Sequence, residues 1–329
     1  MKTMRKPLIV AILFGGLSQG VIAAPTVYIP LGSANSVIAV DAANDTINQT
    51  YSGVANPHGL VVTPDGEYLI AGSLQERPPQ KGALAGKPNS DLFVVHPAHG
   101  HVMATVPVDG WTHHQAITPD GRYVLSTHPT RGGISVLDVN SNQIVKTLTT
   151  GPSPNYTLIT DDAKKAFVSN SGNGTISEID LASWEVLRTL EAGPAPEHMV
   201  FSRDRSMIYI TNPRAGTVSE VSIESGKVTR TFTVGRSVHG LDVGDDGVTL
   251  FASSKKDNKL VALNTRSGEA RSIELGPAPY HLNTITGTGK VYVSSRNQPS
   301  IWVVDQESLS IVGEIALPGG EGHQMAIIN

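Results

Sequence analysis

Short runs of apolar residues, often alternating with polar residues, recur along most of the chain and are separated by turn residues. Residues 175–180, Thr-Ile-Ser-Glu-Ile-Asp, alternate strictly, as is typical of a strand with one buried face. The turn at residues 171–174, Ser-Gly-Asn-Gly, indicates a hairpin. The runs of this unit are residues 156–160, 165–169, 175–181 and 185–190. The pattern predicts an all-β protein built from four-stranded antiparallel units.

These units repeat along the sequence with a fixed period. From His113 the equivalent position recurs every 42 residues, at Asn155, Glu197 and His239. A period of this size is typical of propellers and other repeat architectures. Six complete units begin near His58, His113, Asn155, Glu197, His239 and Tyr280. We number the corresponding predicted blades 1 to 6.

The two ends of the chain are expected to form a seventh blade together. Residues 322–328 resemble only the first strand of a unit. Residues 26–31, 36–41 and 46–51 resemble the other three strands. Pairing the two ends would close the ring and remove the free sheet edges that promote aggregation. The sequence therefore predicts a seven-bladed β-propeller of four-stranded antiparallel blades.

The N-terminus has the pattern of a secretory signal peptide, residues 1–23, cleaved after Ala23. Lys2, Arg5 and Lys6 precede an apolar run over residues 8–17, which is too short for a membrane anchor. We therefore expect a propeller over residues 24–329, located in the periplasm, with no membrane span in the mature form. Removal of the three basic residues changes the net charge from −4 to −7, which argues against nucleic acid as a partner.

Histidines are concentrated at the start of the predicted first strands. Two adjacent positions there contain seven of the 11 histidines. The seven are His58, His113, His114, His198, His239, His281 and His323. The first strand of a propeller blade is the innermost, so these positions should converge on the central channel. A single histidine would be expected to cap its own turn, but seven in register predict a transition-metal site at the channel mouth.

Other side chains near these positions are further candidates. Glu197 could add a carboxylate ligand, and Tyr156 and Tyr280 interrupt the ring as ligands, acids or packing residues. His128 is an additional candidate ligand, and Met199 is a soft neighbour, as is Met325. The chain has no cysteine, which excludes thiolate ligands and disulfides. Imidazole ligands favour copper, with zinc second.

A cation occurs on the link between the second and third strands of nearly every blade. These residues are Arg77, Arg131, Arg214, Lys255 and Arg296. The links are expected to share a face with the channel mouth, so their charges would steer small anions toward it. Ordinary solvated loop charge is the alternative interpretation.

Blade 1 has two irregular features. Residues 74–90 lengthen its step to blade 2 to 55 residues and form a loop between its second and third strands. Such a loop is functional, disordered or simply tolerated, and the sequence leaves its role open. His96, His99 and His101 lie in the turn between the third and fourth strands, on the opposite face. We favour an exposed polar turn over a surface metal site there, and their role also stays open.

The segment 166–180, Ala-Phe-Val-Ser-Asn-Ser-Gly-Asn-Gly-Thr-Ile-Ser-Glu-Ile-Asp, and the recurring Pro-Asp-Gly resemble the YVTN family of bacterial β-propellers. The resemblance covers essentially the whole mature chain and implies a fold more than a function. It extends distantly to the tetrapyrrole-binding propeller of cytochrome-type nitrite reductase and to lactonase-like propellers. It also extends to the copper-carrying propellers of nitrous oxide reductase and thiocyanate dehydrogenase. The ordinary YVTN repeat has Pro and small residues where this chain places histidine.

These observations favour a periplasmic metal-binding propeller, with copper as the cofactor. We expect a redox metalloenzyme acting on a small anionic or inorganic substrate, served by a periplasmic electron-transfer or metal-delivery protein. A non-catalytic copper or zinc carrier is the first alternative. A propeller that binds a haem-type tetrapyrrole is the second, and a lactonase-like enzyme that needs no histidine ring is the third.

Overall fold

A computed structural model describes residues 24–78 and 88–328. The predicted signal peptide, residues 1–23, and residues 79–87 of the long blade-1 loop lie outside the described residues. The described chain forms 28 strands, arranged as seven four-stranded antiparallel sheets. The predicted all-β propeller of seven four-stranded blades is therefore confirmed.

The strands follow the predicted repeat. Blade 1 contains β4 (Pro57–Val62), β5 (Leu69–Ser73), β6 (Ser90–His96) and β7 (His101–Val108). Blade 2 contains β8 (Gln115–Ile117), β9 (Tyr123–His128), β10 (Gly133–Asp138) and β11 (Gln143–Thr149). Blade 3 contains β12 (Pro154–Ile159), β13 (Lys165–Asn170), β14 (Thr175–Asp180) and β15 (Glu185–Glu191). Blade 4 contains β16 (Met199–Phe201), β17 (Met207–Asn212), β18 (Thr217–Ser222) and β19 (Val228–Thr233).

The remaining blades include the one shared by the two ends. Blade 5 contains β20 (Val238–Val243), β21 (Thr249–Ser254), β22 (Lys259–Asn264) and β23 (Ala270–Glu274). Blade 6 contains β24 (Pro279–Ile285), β25 (Lys290–Ser295), β26 (Ser300–Asp305) and β27 (Ser310–Ala316). Blade 7 contains β28 (Ala326–Ile328), β1 (Thr26–Leu31), β2 (Ser36–Asp41) and β3 (Thr46–Ser52). In blade 7, β28 pairs antiparallel with β1, which places Thr26 opposite Ile328 and confirms the predicted closure.

Hydrophobic clusters lie between adjacent blades and hold the ring together. One cluster joins Phe167 and Ile176 of blade 3 to Met199, Phe201 and Ile208 of blade 4. The outermost strands are mostly exposed, as in β15. Met199 and Met325 are buried in such clusters, so their thioethers pack against apolar side chains.

The first strands have an irregular start that controls where their side chains point. In β4 the pairing passes from Pro57↔Ser73 to Leu60↔Ala71, so His58 and Gly59 lie opposite the single residue Gly72. The first strands of blades 3, 5 and 6 contain the same two-against-one bulge. Consecutive residues of a regular strand point to opposite faces, whereas a bulge re-aims a side chain. The bulge therefore allows two successive positions of one blade to face the channel.

The turn before each of these positions is also unusual. In five blades the residue two places earlier has a positive φ although it is not glycine. These residues are Asn56, Ser153, Ala195, Ser237 and Ala278, with φ between 42° and 58°. Such a backbone is uncommon for residues with a side chain and is kept only where the surrounding structure requires it. This repeated left-handed turn directs the residues that follow it toward the channel.

Candidate metal centre

The structure brings all seven histidines of the predicted ring into one cluster. Their neighbouring ring centroids are 4.2–5.5 Å apart. Six of the side chains are buried, and His113 is half-buried. The imidazoles therefore pack against one another across the channel instead of lining an open pore.

Backbone carbonyls determine which ring nitrogen carries the proton in two of these histidines. His58 Nδ1 lies 3.1 Å from the carbonyl oxygen of His113, and His114 Nδ1 lies 2.9 Å from that of Asn155. A carbonyl oxygen only accepts hydrogen bonds, so each Nδ1 must be the donor. The Nε2 atom of each ring then has a free lone pair, which is the arrangement that favours metal binding.

A carboxylate has the same effect on a third ring. Glu197 Oε2 lies 3.1 Å from His239 Nδ1 and can accept a hydrogen bond from the Nδ1–H group. This contact orients the imidazole and increases the basicity of Nε2. Glu197 therefore acts on the cluster through His239.

Several buried ring nitrogens have no hydrogen-bond partner among the described residues. Within the cluster they are the Nε2 atoms of His114, His198, His239 and His281, the Nδ1 atom of His113 and both ring nitrogens of His323. Buried polar atoms normally have partners, because burying one without a partner costs about 1–3 kcal/mol. Convergent lone pairs without donors are the arrangement that a metal ion would satisfy.

Three groups of three histidines have the spacing needed for a shared ion. In each group the ligand nitrogens lie within 4.8 Å of one another. The groups are His58–His113–His114, His58–His281–His323 and His114–His198–His281. Every pair of groups shares one histidine. His58 and His114 each have one nitrogen occupied by a carbonyl, so the first group competes with each of the other two.

Burial keeps the clustered imidazoles neutral. Desolvation lowers the pKa of His58, His114, His198, His239 and His281 well below the usual value, and the neighbouring imidazoles lower the pKa of each further. Desolvation lowers the pKa of His113 to about 4. Because metals bind the neutral form of imidazole, the cluster is ready to bind one at neutral pH without releasing protons.

The two tyrosines of the predicted ring pack against the imidazoles. Tyr280 stacks on His239 with 4.1 Å between ring centroids, and Tyr156 lies 4.9 Å from His114. Burial raises the pKa of Tyr280 to about 12 and also raises the pKa of Tyr156. Burial thus disfavours phenolate ligands and favours packing by neutral phenols.

His128 lies apart from the cluster. Its Nδ1 is 3.2 Å from the carbonyl oxygen of Gly110, and its Nε2 is 2.8 Å from Ser135 Oγ. In blade 3 the equivalent residue is Asn170, which donates a hydrogen bond to Ser177 of the same blade. Both nitrogens of His128 are engaged in this repeated contact between strands, which leaves no free lone pair for a metal.

The predicted cationic rim contains several ion pairs. Arg77 pairs with Asp91, Arg131 with Glu76 and Asp109, and Arg296 with Glu321. Among the described residues, Lys255 and Arg214 have no carboxylate within ion-pair distance. The steering of anions by all five cations stays a prediction, and the charge of three of them is largely balanced.

The histidine turn of blade 1 lies between β6 and β7, as predicted. The rings of His96 and His99 stack with centroids 4.0 Å apart, and His99 and His101 are 5.9 Å apart. His96 Nε2 is 3.9 Å from Glu67. Within the described chain, the three groups with metal-ligand spacing all belong to the channel cluster.

A row of hydroxyl groups supports the cluster and was missed in the sequence. The residues are Thr127, Ser169, Thr211, Ser253 and Ser294, in the second strands. Thr127 accepts a hydrogen bond from the His114 N–H at 3.0 Å and donates to the Asn155 carbonyl of the next blade at 2.9 Å. Ser169 likewise joins Tyr156 to Glu197. The first four recur at the same 42-residue period as the histidines, so the repeat in the sequence could have identified them.

Other neighbours of the cluster had no repeat to reveal them. Glu321 lies 3.4 Å from His323 and 2.6 Å from Arg296. Asp242 accepts a hydrogen bond from the Thr284 N–H, and burial raises its pKa to about 6. The Gln115 N–H donates to Gln324 Oε1, and Gln324 Nε2 donates to the Gln115 carbonyl oxygen. Each occurs on a single blade, so only the tertiary structure identifies them.

The fold agrees with comparisons to known proteins. The YNCE-like beta-propeller family model matches residues 156–249. No curated protein sequence matches the chain. Across residues 24–78 and 88–328, no helix has the length and apolar character needed to cross a membrane.

Several solved structures have the same architecture. A putative 6-phosphogluconolactonase from Bacteroides uniformis is 18% identical with a TM-score of 0.76, and the match covers 93% of this chain and 100% of that chain. The Pseudomonas aeruginosa periplasmic gluconolactonase PpgL is 19% identical with a TM-score of 0.73, covering 93% and 99%. The dihydro-heme d1 dehydrogenase NirN, in complex with DHE, is 14% identical with a TM-score of 0.67, covering 89% and 64%. At these identities the likeness shows the fold alone, and the chain is a seven-bladed propeller with a segment similar to the YNCE-like family.

Proposed function

We propose that this protein is a periplasmic metal-binding propeller whose histidine cluster holds a transition metal, with copper favoured. One observation carries the proposal: buried imidazole lone pairs converge, and no donor among the described residues satisfies them. A bound ion would remove that desolvation cost. The periplasmic location rests on the predicted signal peptide.

The ligand chemistry favours copper and then zinc. Neutral imidazole suits both metals, and the general affinity order places Cu(II) above Zn(II). Magnesium and calcium prefer oxygen ligands, whereas the three candidate ligand groups in the described chain consist of histidines alone. We expect one ion per chain, because the first histidine group competes with the other two. Two ions would require His281 to bridge with both nitrogens.

A resident redox metal acting on a small anionic or inorganic substrate is the function that we favour. The cluster lies in the channel with only His113 half-buried, so only small molecules would reach a bound ion. Copper would supply electron transfer or Lewis-acid chemistry there. A periplasmic electron-transfer protein would serve such an enzyme, and a metal-delivery protein would load it.

The carrier alternative uses the same ligands but requires rapid exchange. Six of the seven histidines are buried, so release would require the packed rings to separate. The burial therefore favours a resident ion over a carried one.

The tetrapyrrole alternative is suggested by the complex of NirN with DHE. In this chain the imidazole centroids are 4.2–5.5 Å apart, so a macrocycle would have to lie above the cluster, with one histidine as axial ligand. The lactonase-like alternative is supported only by the likeness in fold to a putative 6-phosphogluconolactonase and to a gluconolactonase. An intense Soret-like band in purified protein would favour the tetrapyrrole over copper or zinc.

A matched pair of double variants tests the metal site. His58→Asn with His114→Asn disrupts all three histidine groups, and His113→Asn with His198→Asn leaves His58–His281–His323 intact. Asparagine retains a donor near the position of Nδ1 and removes Nε2. We expect the first pair to lose copper binding, whereas the second retains about one ion per chain.

The measurement is elemental analysis of protein dialysed against copper, together with circular dichroism to verify folding. Equal copper content in wild type and in the His58/His114 variant would refute the proposal. Equal loss in both folded variants would show that the intact histidine group does not suffice as a site.

A further inference from the structure

The channel mouth beside blades 5 and 6 brings two cations to one aromatic ring. Lys255 Nζ and Arg296 Cζ each lie 5.3 Å from the ring centroid of Tyr280. Both residues directly follow a second strand, Lys255 after β21 and Arg296 after β25. Like charges held close together repel each other, so this arrangement needs a compensating negative charge.

Among the described residues, only one of the two cations has a carboxylate within ion-pair distance. Arg296 pairs with Glu321 at 2.6 Å. The Nζ atom of Lys255 forms no hydrogen bond or ion pair with the described residues, although the side chain is half-buried. Burial lowers the pKa of Lys255 most, whereas the Glu197 carboxylate raises it and Arg296 lowers it. Among the described residues, the half-buried ammonium of Lys255 thus has no partner in direct contact.

This charge lies close to the proposed metal centre. Tyr280, which both cations approach, stacks on His239 and lies 5.6 Å from His323. A ligand held by Lys255 and Arg296 would thus be adjacent to the histidine cluster.

Two carboxylates limit the charge of such a ligand. Glu197 bonds to His239, and Glu321 lies between Arg296 and His323. Glu321 is paired with Arg296 and Glu197 bonds to His239, so only Lys255 lacks a direct carboxylate partner among the described residues at this mouth. Lys255 can match a single negative charge, whereas the two carboxylates would repel a ligand with several.

We propose that Lys255 and Arg296 form a binding site for a small inorganic monoanion above the cluster, with Lys255 as the specificity-determining residue. This inference deepens the proposed function and rests on it for the metal below. The anion site itself needs no metal, so it can be tested on metal-free protein.

The first test uses the chloride-35 NMR line width with metal-free protein, because a bound halide broadens the signal. Lys255→Gln should remove most of the broadening. Lys256→Gln removes the same charge from the exposed neighbouring side chain and should leave the broadening unchanged. Added azide should displace chloride at lower concentration than added sulfate.

Equal losses in the two variants would reduce the effect to general surface charge and overturn the proposal. Retention of the broadening in Lys255→Gln would also overturn it, as would stronger displacement by sulfate than by azide.

A second test links the anion site to the metal. Azide added to copper-loaded protein should produce a charge-transfer band, and Lys255→Gln should weaken azide binding about tenfold with unchanged copper content. An unchanged azide affinity would refute the link. If the protein binds no copper, the proposed function fails, whereas the chloride result still decides the anion site.

Discussion

Individual groups around the cluster act mainly by fixing which ring nitrogen of a histidine carries the proton. The carbonyls of His113 and Asn155 and the carboxylate of Glu197 each accept a hydrogen bond from one Nδ1–H group. Each contact fixes a tautomer and leaves Nε2 available. The availability of the lone pairs is therefore a property of neighbouring groups as much as of the histidines.

Glu197 provides a direct test of these contacts. Glu197→Gln removes the carboxylate that orients His239, whose ring packs against His198 and His281 of the third histidine group. His239 itself belongs to none of the three groups, so we expect a weakening of copper binding near the lower end of the 10- to 100-fold range that loss of a ligand's partner produces. Competition with a copper chelator measures it. Glu191→Gln, which removes an exposed carboxylate paired with Lys227, is the control and should have no effect. Unchanged affinity in Glu197→Gln would show that His239 does not contribute to the site.

The depressed pKa values of the histidines predict acid sensitivity of the metal-free protein. The unfolded chain protonates histidine near pH 6.5, whereas the folded cluster excludes those protons. The free energy of unfolding should therefore be fully retained above pH 6.5 and fall below it. The loss is about 1.4 kcal/mol per pH unit for each histidine that stays neutral. For His113 it continues to its folded pKa of about 4.

Urea unfolding of metal-free protein at pH 7.5, 6.5 and 5.5 measures this loss. His281→Asn should make the profile less steep, because it removes one of the imidazoles that the folded chain keeps neutral. A free energy of unfolding that is constant across this range would contradict the neutral buried cluster.

At the level of strands, three features act together to present the histidines. A left-handed residue turns the chain, a bulge exposes two successive positions to the channel, and a second-strand hydroxyl bonds to the second of them. The same hydroxyl also donates a hydrogen bond to the next blade, as Ser169 does to the carbonyl oxygen of Glu197. Neighbouring first strands are therefore fixed relative to one another as well as within each blade.

Thr211 tests the contribution of this hydroxyl row. Thr211 Oγ1 accepts the His198 N–H at 3.0 Å, and Thr211→Val leaves that buried donor without its partner. We expect a loss of about 1–3 kcal/mol in the free energy of unfolding, measured with urea. Thr231→Val, at an exposed position of β19, should change it by less than about 0.5 kcal/mol. Similar values for the two variants would argue against a role for the hydroxyl row.

For the molecule as a whole, closure of the ring determines whether the cluster can exist. His323 comes from the C-terminal segment and reaches the other histidines because β28 pairs with β1. Each first strand in the described chain pairs with a second strand of its blade, and hydrophobic clusters join adjacent blades.

Removal of residues 326–329 tests the closure while retaining His323. The deletion removes β28 and exposes the edge of β1, which should favour association between chains. We expect a loss of about 3 kcal/mol or more in stability from the missing apolar contacts and strand bonds. Thermal unfolding and size-exclusion chromatography measure the two effects, and deletion of residue 329 alone is the control. A monomeric truncated protein with unchanged stability would contradict the role of β28.

The amino-acid sequence by itself determined the repeat, the number of blades, the strand positions and the alignment of the histidines. These features follow from local alternation, turn residues and a fixed period, which need no knowledge of distant contacts. Tertiary structure decided the rest. Only the folded ring shows that Glu197 reaches His239, that Glu321 pairs with Arg296, and that Lys255 is left unpaired within the described chain. The physical reason is that tautomers, burial and charge balance depend on distances between residues from different blades, which no period in the sequence encodes.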